Sequence, residues 1–77
     1  MEKVLITGGA GFIGINLALY MYKLGYKINI IDIKTPRCRK LIPFFRRIDF
    51  LEIDNLKDYF KEINPDYVVH LGSRISL

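Results

Sequence analysis

The residues best suited to chemistry lie near the start of the chain, where four glycines fall within seven positions. Gly9, Gly11 and Gly14 form the spacing G-x-G-x-x-G. Gly8 replaces Gly9 in the overlapping spacing G-x-x-G-x-x-G. A glycine tolerates the positive φ of a tight turn, and its missing side chain lets a phosphate approach the backbone closely. This run therefore predicts a turn that binds phosphate groups.

The residues that follow the turn supply hydrogen-bond donors for such an anion. In the first turn of a helix the backbone amides lack intrahelical acceptors, and the helix dipole favours negative charge. We therefore expect the amides of Phe12 and Ile13 to donate to the phosphates. A P-loop is excluded, because no Gly-Lys pair followed by Ser or Thr occurs. The candidate site residues of this turn are Gly8, Gly11, Phe12, Ile13 and Gly14.

A carboxylate stands where a ribose partner is expected. Asp32 follows Gly14 by eighteen residues, close to the offset of about 20 at which an acid accepts the ribose hydroxyls of an adenine dinucleotide. An acid here repels a 2′-phosphate, so Asp32 favours NAD over NADP as the cofactor. Lys34, Arg37 and Arg39 follow closely and would offset a phosphate's charge if their loop folded back. The alternative role for Asp32 is to cap the turn at the end of its strand.

These residues require a strand, a helix and a second strand to hold them. Residues 4–6 are a continuous β-branched and apolar run that predicts a buried strand. Residues 11–24 predict a helix with Gly25 as its stop, and residues 27–33 predict a second strand. The three elements form a βαβ unit with the glycine turn at its first crossover.

The predicted helix carries apolar residues at three- and four-residue spacing. They are Ile13, Leu17, Tyr20, Met21 and Leu24. This periodicity predicts one broad apolar face that packs in the core and does not contact a cofactor.

The stretch after the second strand has two interpretations, which place a functional acid differently. Residues 34–42 have no period and predict a loop. In one interpretation, residues 50–53 are the third strand and Asp54 is its terminal acid. In the other, residues 44–48 are the third strand, Asp49 ends it, and a helical stripe follows. The stripe consists of Ile53, Leu56, Phe60 and Ile63. We favour the second interpretation because the stripe is longer and better matched than the strand pattern.

A fourth strand is predicted at residues 67–71, with a loop from Gly72. Strands separated by helical or loop crossovers form a parallel sheet with covered faces, the α/β doubly wound class. We expect the strand order 3-2-1-4, which is part of a Rossmann fold. Residues 1–77 are thus predicted to be the N-terminal part of an NAD(P)-binding Rossmann domain, truncated before any substrate domain.

Residues 4–14 (VLITGGAGFIG) and residues 64–73 (NPDYVVHLGS) together extend over nearly the whole chain. They resemble extended short-chain dehydrogenases/reductases of the NAD-dependent epimerase/dehydratase kind, which act on nucleotide sugars. In that family an acid and an apolar residue after the third strand contact the adenine, sixteen residues before a Pro-Asp pair. Asp49 and Phe50 have that spacing. The resemblance therefore implies that these two residues contact the adenine.

The resemblance places three more residues at the cofactor. It implies that Leu71, Gly72 and Ser73 line the middle of NAD and its nicotinamide-proximal ribose. The family performs acid/base work with a Tyr-x-x-x-Lys pair, and none of the five tyrosines here is followed by lysine at that spacing. We therefore assign no catalytic residue and expect no catalysis from this chain alone. His70, inside the fourth strand, is expected to be structural.

Basic residues are concentrated in one segment. The formal net charge is +4, and six of the twelve lysines and arginines lie within residues 34–47. We expect a solvated loop there, with a phosphate-contacting patch or a nucleic-acid surface as alternatives. Two other functions therefore stand beside NAD binding: a non-catalytic NAD-sensing or partner-binding module, and a basic nucleic-acid-binding protein.

Composition sets the remaining expectations. Cys38 is the single cysteine, so an internal disulfide is excluded, and the start lacks the apolar core of a secretory signal. No apolar stretch reaches the ~20 residues of a membrane span. We expect a cytoplasmic location and no metal site. The expected partners are the cofactor and either a second copy of the chain or the C-terminal part of a longer protein.

Overall fold

The computed structural model describes residues 1–71 as a parallel sheet with helices on both faces. The strands are β1 (Lys3–Thr7), β2 (Lys27–Asp32), β3 (Phe45–Arg47) and β4 (Tyr67–His70). The helices are α1 (Phe12–Lys23) and α2 (Ile53–Ile63), and a 3-10 helix covers Arg39–Phe44. The strand order is β3-β2-β1-β4, and every neighbouring pair is parallel. The predicted α/β class and the predicted order 3-2-1-4 are confirmed.

The central strand β1 is covered on both sides. Successive side chains of a strand point to opposite faces. Val4 and Ile6 pack in one cluster with Ala18 of α1. Leu5 packs in the other with Tyr59 of α2. Neither face of β1 contacts water at residues 4–6. Because side chains on both faces are buried, a strand in this position needs an uninterrupted run of apolar residues.

The buried face of α1 differs from the predicted stripe. Ile13, Tyr20 and Leu24 are exposed, at 69%, 61% and 58%, whereas Gly14 and Ala18 are the buried residues of the helix. The other two residues of the stripe are half-buried against the core. The prediction was wrong for three residues because α1 is apolar on nearly every side, so periodicity does not select one face. The small residues decide the face, because they let the helix lie close to the sheet.

The middle of the chain follows the second interpretation. β3 ends two residues before Asp49, and Asp54 lies in the first turn of α2. Most of the predicted stripe packs half-buried beside Tyr59, which the stripe did not include. Ile53 is 53% exposed because it begins the helix, beyond the edge of that cluster.

The 3-10 helix occupies part of the segment predicted as a loop. It buries Leu41 in the cluster on the α1 side of the sheet and contains Pro43. Such a short helix has too few turns to show a period, which is why the pattern predicted a loop. Within residues 1–71, neither α1 nor α2 has the length and apolar character needed to cross a bilayer.

Candidate functional site

A cleft of about 880 Å³ opens where β1, β2 and β3 end. Parallel strands bring the loops after them to one edge of the sheet, and ligands of such folds bind there. Seven predicted site residues line this cleft: Gly8, Gly11, Phe12, Asp32, Asp49, Phe50 and Leu71. Ile13 and Gly14 are not among its lining residues. Gly72 and Ser73 lie outside the described residues, and a cofactor-binding role for any of these positions stays a prediction.

The turn after β1 needs glycine at two places for reasons inside the protein. Gly8 has φ 74°, in the left-handed region that favours glycine. Its amide donates to the carbonyl oxygen of Ile31 at 2.9 Å, which ties the turn to β2. A Cβ added to Gly9 would stand 2.6 Å from Cγ2 of Ile30. A side chain at Gly9 would therefore push the turn away from β2.

Gly14 and Gly11 differ in what surrounds them. A Cβ added to Gly14 would stand 2.5 Å from Cα of Gly9, so this glycine lets α1 start directly against the turn. A Cβ added to Gly11 would meet no atom of the described residues within 4 Å. The φ of −79° and ψ of 175° at Gly11 are also open to any residue. Nothing in this part of the chain therefore requires glycine at position 11. A ligand that lies directly on the backbone would require it, because a side chain there would hold the ligand away.

The first turn of α1 carries donors without acceptors. Among residues 1–71, the amides of Gly11, Phe12 and Ile13 have no hydrogen-bond acceptor. The hydrogen bonds of the helix begin with the amide of Ile15, which donates to the carbonyl of Gly11 at 2.9 Å. The first turn contains no acidic residue, and no side chain caps it. No acid of the first turn of α1 therefore offsets the positive end of the helix dipole, and the amides without acceptors suit an anion.

Asp32 joins the end of β2 to the glycine turn. Its Oδ2 accepts the amide of Ala10 at 3.0 Å. Its Oδ1 accepts the amide of Ile33 at 2.6 Å and that of Lys34 at 3.3 Å. This is the turn-capping geometry of the alternative interpretation, and the same side chain lines the cleft. Each carboxylate oxygen has more than one lone pair, so these bonds leave acceptor capacity for a ligand hydroxyl.

Asp49 and Phe50 bring the end of β3 to the cleft. Oδ1 of Asp49 accepts the amide of Leu51 at 2.9 Å, which fixes the turn into α2. The ring of Phe50 lies 5.9 Å from that of His70, centroid to centroid. The cleft is therefore bounded here by an acid and an aromatic face, a combination suited to the amino group and the plane of a purine.

The ends of β1 and β4 are joined beside the cleft. The amide of Leu71 donates to the carbonyl of Thr7 at 2.8 Å. Nδ1 of His70 is hydrogen-bonded to the hydroxyl of Thr7, which is 4% exposed. These bonds support the structural role predicted for His70, since one ring nitrogen already has a partner inside the protein.

Other residues on the cleft wall were not assigned to the site from the sequence, although Lys34 and Arg37 were named there as possible partners of a phosphate. Ala10 contributes the amide that holds Asp32. Lys34, Thr35 and Arg37 also line the cleft. The signal that could have found them is their position directly after β2, because loops at the carboxyl ends of strands form the site in this class of fold. Neither basic side chain is paired with an acid within the described residues. The same part of the chain contains no group of three or more side chains that could hold a metal.

Comparison with known proteins gives a family match and individual relatives. The model of the NAD dependent epimerase/dehydratase family matches residues 4–77. The dTDP-D-glucose 4,6-dehydratase of Dictyostelium discoideum is 34% identical over 95% of this chain and 19% of its own length. The UDP-glucose 4-epimerase of Neisseria meningitidis serogroup B is 32% identical over 94% of this chain and 24% of its own.

Solved structures show the same fold. The UDP-glucose 4-epimerase of Thermus thermophilus, crystallised with NAD, superposes with a TM-score of 0.82 at 29% identity, over 97% of this chain and 25% of its own. The UDP-glucose 4-epimerase of Brucella ovis, also with NAD, gives a TM-score of 0.81 at 26% identity, over 100% of this chain and 24% of its own.

The chain spans between about a fifth and a quarter of the length of these relatives. The match nevertheless extends over almost all of its own residues, from the first strand onward. The matched residues 4–77 include the glycine turn, the acid after β2 and nearly all residues of the four strands. The chain belongs to the NAD-dependent epimerase/dehydratase family.

Proposed function

We propose that this chain binds NAD in the cleft at the carboxyl ends of its strands. The pyrophosphate lies on the amides at the start of α1, and Oδ2 of Asp32 accepts a hydroxyl of the adenosine ribose. Asp49 and Phe50 contact the adenine, and Leu71 lies near the middle of the cofactor. Gly72 and Ser73 follow Leu71 in sequence and complete the predicted contacts.

The observation that carries the proposal is the open space around Gly11. Three glycines of the turn have reasons within the protein: a positive φ at Gly8 and a close backbone or side-chain neighbour at Gly9 and Gly14. Gly11 has none in the described residues, yet it lies on the cleft beside amides that lack acceptors. A diphosphate resting on the backbone accounts for both features.

Relatives crystallised with NAD support this choice of cofactor. Asp32 supports NAD over NADP, because its carboxylate would repel a 2′-phosphate. In full-length members of the family NAD accepts a hydride from a sugar, and the protein binds and orients the cofactor and the sugar. We propose this chain as the NAD-binding segment of a protein acting on nucleotide sugars. The sequence contains no Tyr-x-x-x-Lys pair, so turnover is assigned to residues outside it.

The test is calorimetric titration of the 77-residue chain with NAD, beside its Gly11→Val and Gly11→Ser variants. Valine fills the space over the amides, and we expect it to abolish detectable binding. Serine also adds a Cβ but is a preferred N-cap residue, so the Gly11→Ser protein should fold and still bind NAD at least tenfold more weakly, a difference of about 1.4 kcal/mol. Lys23→Ala, in the last turn of α1, is the matched control and should bind as the unmodified chain does. Unchanged affinity in both Gly11 variants would remove the proposal.

A further inference from the structure

We propose that the amino edge of the sheet binds a methylated ammonium group. A depression of about 410 Å³ opens there, lined by Glu2, Leu24, Gly25 and Tyr26. It lies at the opposite end of the strands from the cleft, since Glu2 directly precedes β1 and the cleft follows the strands. Its volume falls within the range of about 300–1,000 Å³ for small-molecule sites. The inference goes beyond NAD binding and gives the chain a second kind of ligand.

Two tyrosine rings form an aromatic corner at this edge. The centroids of the Tyr26 and Tyr67 rings are 6.4 Å apart, and the angle between the ring planes is 80°. Tyr26 lines the depression, and Tyr67 is 50% exposed. The face of an aromatic ring carries negative partial charge, so it attracts a cation within about 6 Å of its centroid. Because the rings stand nearly at right angles, one ammonium group placed in the corner contacts both.

Glu2 supplies a carboxylate between these rings. β1 lies between β2 and β4 in the sheet, so the residue before β1 has Tyr26 on one side and Tyr67 on the other. Oε2 of Glu2 accepts a hydrogen bond from the hydroxyl of Tyr67 at 3.0 Å, which fixes the carboxylate beside that ring. Within residues 1–71, Oε1 accepts no hydrogen bond and Glu2 forms no ion pair. Its negative charge is therefore available to a cation from outside.

The last turn of α1 adds to the negative potential. Leu24 is the C-cap of the helix, and Gly25, at φ 97°, turns the chain toward β2. The C-terminal end of a helix dipole favours positive charge. Lys23 offsets part of this effect from the same turn, but it does not line the depression.

The lining thus combines a carboxylate, a helix C-terminus, an aromatic face and the apolar side chain of Leu24, without a basic residue. A quaternary ammonium group matches this combination, because its methyl groups pack on apolar and aromatic surface while its charge meets the carboxylate. The same group occurs in free choline and in a trimethylated lysine side chain of another protein.

The experiment is an NMR titration of the 77-residue chain with choline and with dimethylbutanol, its neutral isostere, in which a tert-butyl group replaces the trimethylammonium. The two ligands have the same shape, so the difference in affinity measures the effect of charge. We expect choline to shift the ring signals of Tyr26 and Tyr67 and to bind about tenfold or more tightly than the alcohol.

A peptide with one trimethyllysine among glycines and serines distinguishes the source of the group. Binding about tenfold or more tightly than choline would support the site and identify a protein side chain as its ligand. Equal or weaker binding than that of choline would support the site and identify a small free cation.

Two variants test the assigned residues. Glu2→Gln removes the charge at nearly constant size, and Tyr26→Leu removes one ring, so each should weaken choline binding by about threefold or more. Glu52→Gln and Tyr20→Leu make the same changes at exposed residues that do not line the depression, and both should bind choline as the unmodified chain does. Glu2 is exposed, so Glu2→Gln should fold even if Tyr26→Leu does not.

Three outcomes would overturn the inference. The first is equal affinity for choline and the alcohol, which would show that charge does not contribute. The second is unchanged choline binding in Glu2→Gln. The third is no shift of either ring at about 50 mM choline, which would exclude a dissociation constant in the millimolar range. Glu2→Gln should bind NAD as the unmodified chain does, because Glu2 lies outside the cleft, so this inference and the proposed function fail separately.

Discussion

Cα of Gly9 lies 2.5 Å from the place that a Cβ of residue 14 would occupy. The first turn of α1 therefore rests on the backbone of the turn that precedes it. This contact sets the position of the helix start, and with it the amides at the cleft, relative to β1. The glycine at position 14 thus acts on the site through packing, since it does not itself line the cleft.

We expect Gly14→Ser to destabilise the protein by about 3 kcal/mol, the upper part of the range for overpacking, because the neighbouring atoms are backbone and cannot turn aside. Gly11→Ser should change the free energy of unfolding by less than about 1 kcal/mol, since the new side chain meets open space and suits an N-cap. Urea unfolding followed by circular dichroism measures both. Equal losses in the two variants would contradict the assignment of packing to Gly14 and ligand access to Gly11.

Asp32→Ala should weaken NAD binding about tenfold, the loss expected for hydrogen bonds to a charged group. The same change removes the repulsion of a 2′-phosphate beside Lys34 and Arg37, so the ratio of the NADP and NAD dissociation constants should fall. Titrations with both cofactors measure this ratio. Asp54→Ala is the matched control, because that acid lies in the first turn of α2, away from the cleft lining. A ratio that stays constant in Asp32→Ala would contradict the ribose assignment.

Stability should fall at alkaline pH because of Tyr59. Burial raises the pKa of its hydroxyl above the ordinary value of 10.0, and the nearby charge of Arg46 partly opposes this shift. The folded state therefore holds the proton more tightly than the unfolded state. This contribution is fully present below about pH 10 and is lost as the pH rises through the folded pKa.

Tyr59→Phe tests that contribution. Its free energy of unfolding should decline less between about pH 8 and pH 11 than that of the unmodified chain, because the titrating group is gone. Urea midpoints at the two pH values supply the comparison. Parallel declines would show that Tyr59 does not carry the effect.

The outer edge of β4 should drive self-association. Within the described residues β4 pairs with β1 alone, and Tyr67 and Val68 are 50% and 48% exposed. An unpaired strand with apolar side chains is a template for another strand. We expect the isolated chain to form oligomers in light scattering and Val68→Lys to shift it toward monomer.

Ile42→Lys is the control for the edge. Ile42 is 41% exposed, so the change adds the same charge at an apolar residue of similar exposure, but in the 3-10 helix. It should leave the oligomer distribution as it was. A monodisperse monomer of the unmodified chain would contradict the prediction outright.

The sequence alone determined the order of the strands and of the two α-helices along the chain, the strand order in the sheet and the acid that follows the third strand. These follow from short-range rules: a buried parallel strand needs an unbroken apolar run, and glycines and prolines mark where elements stop. The stripe of α2 is flanked by polar residues, so its period identified the buried side with the exception of Ile53 and Tyr59. The separation of residues 4–6 from residues 27–33 similarly sufficed to predict a βαβ unit.

Only the tertiary structure decided which side of α1 is buried and what each glycine does. α1 is apolar around most of its circumference, so its pattern is compatible with several buried faces, and the contact between Gly14 and Gly9 selects one. The four glycines are identical as letters, yet one adopts a positive φ, two lie against neighbouring atoms and one faces open space. The bond from Ala10 to Asp32 joins residues 22 positions apart. Such relationships depend on distances between segments that fold together, and no local pattern in the chain encodes those distances.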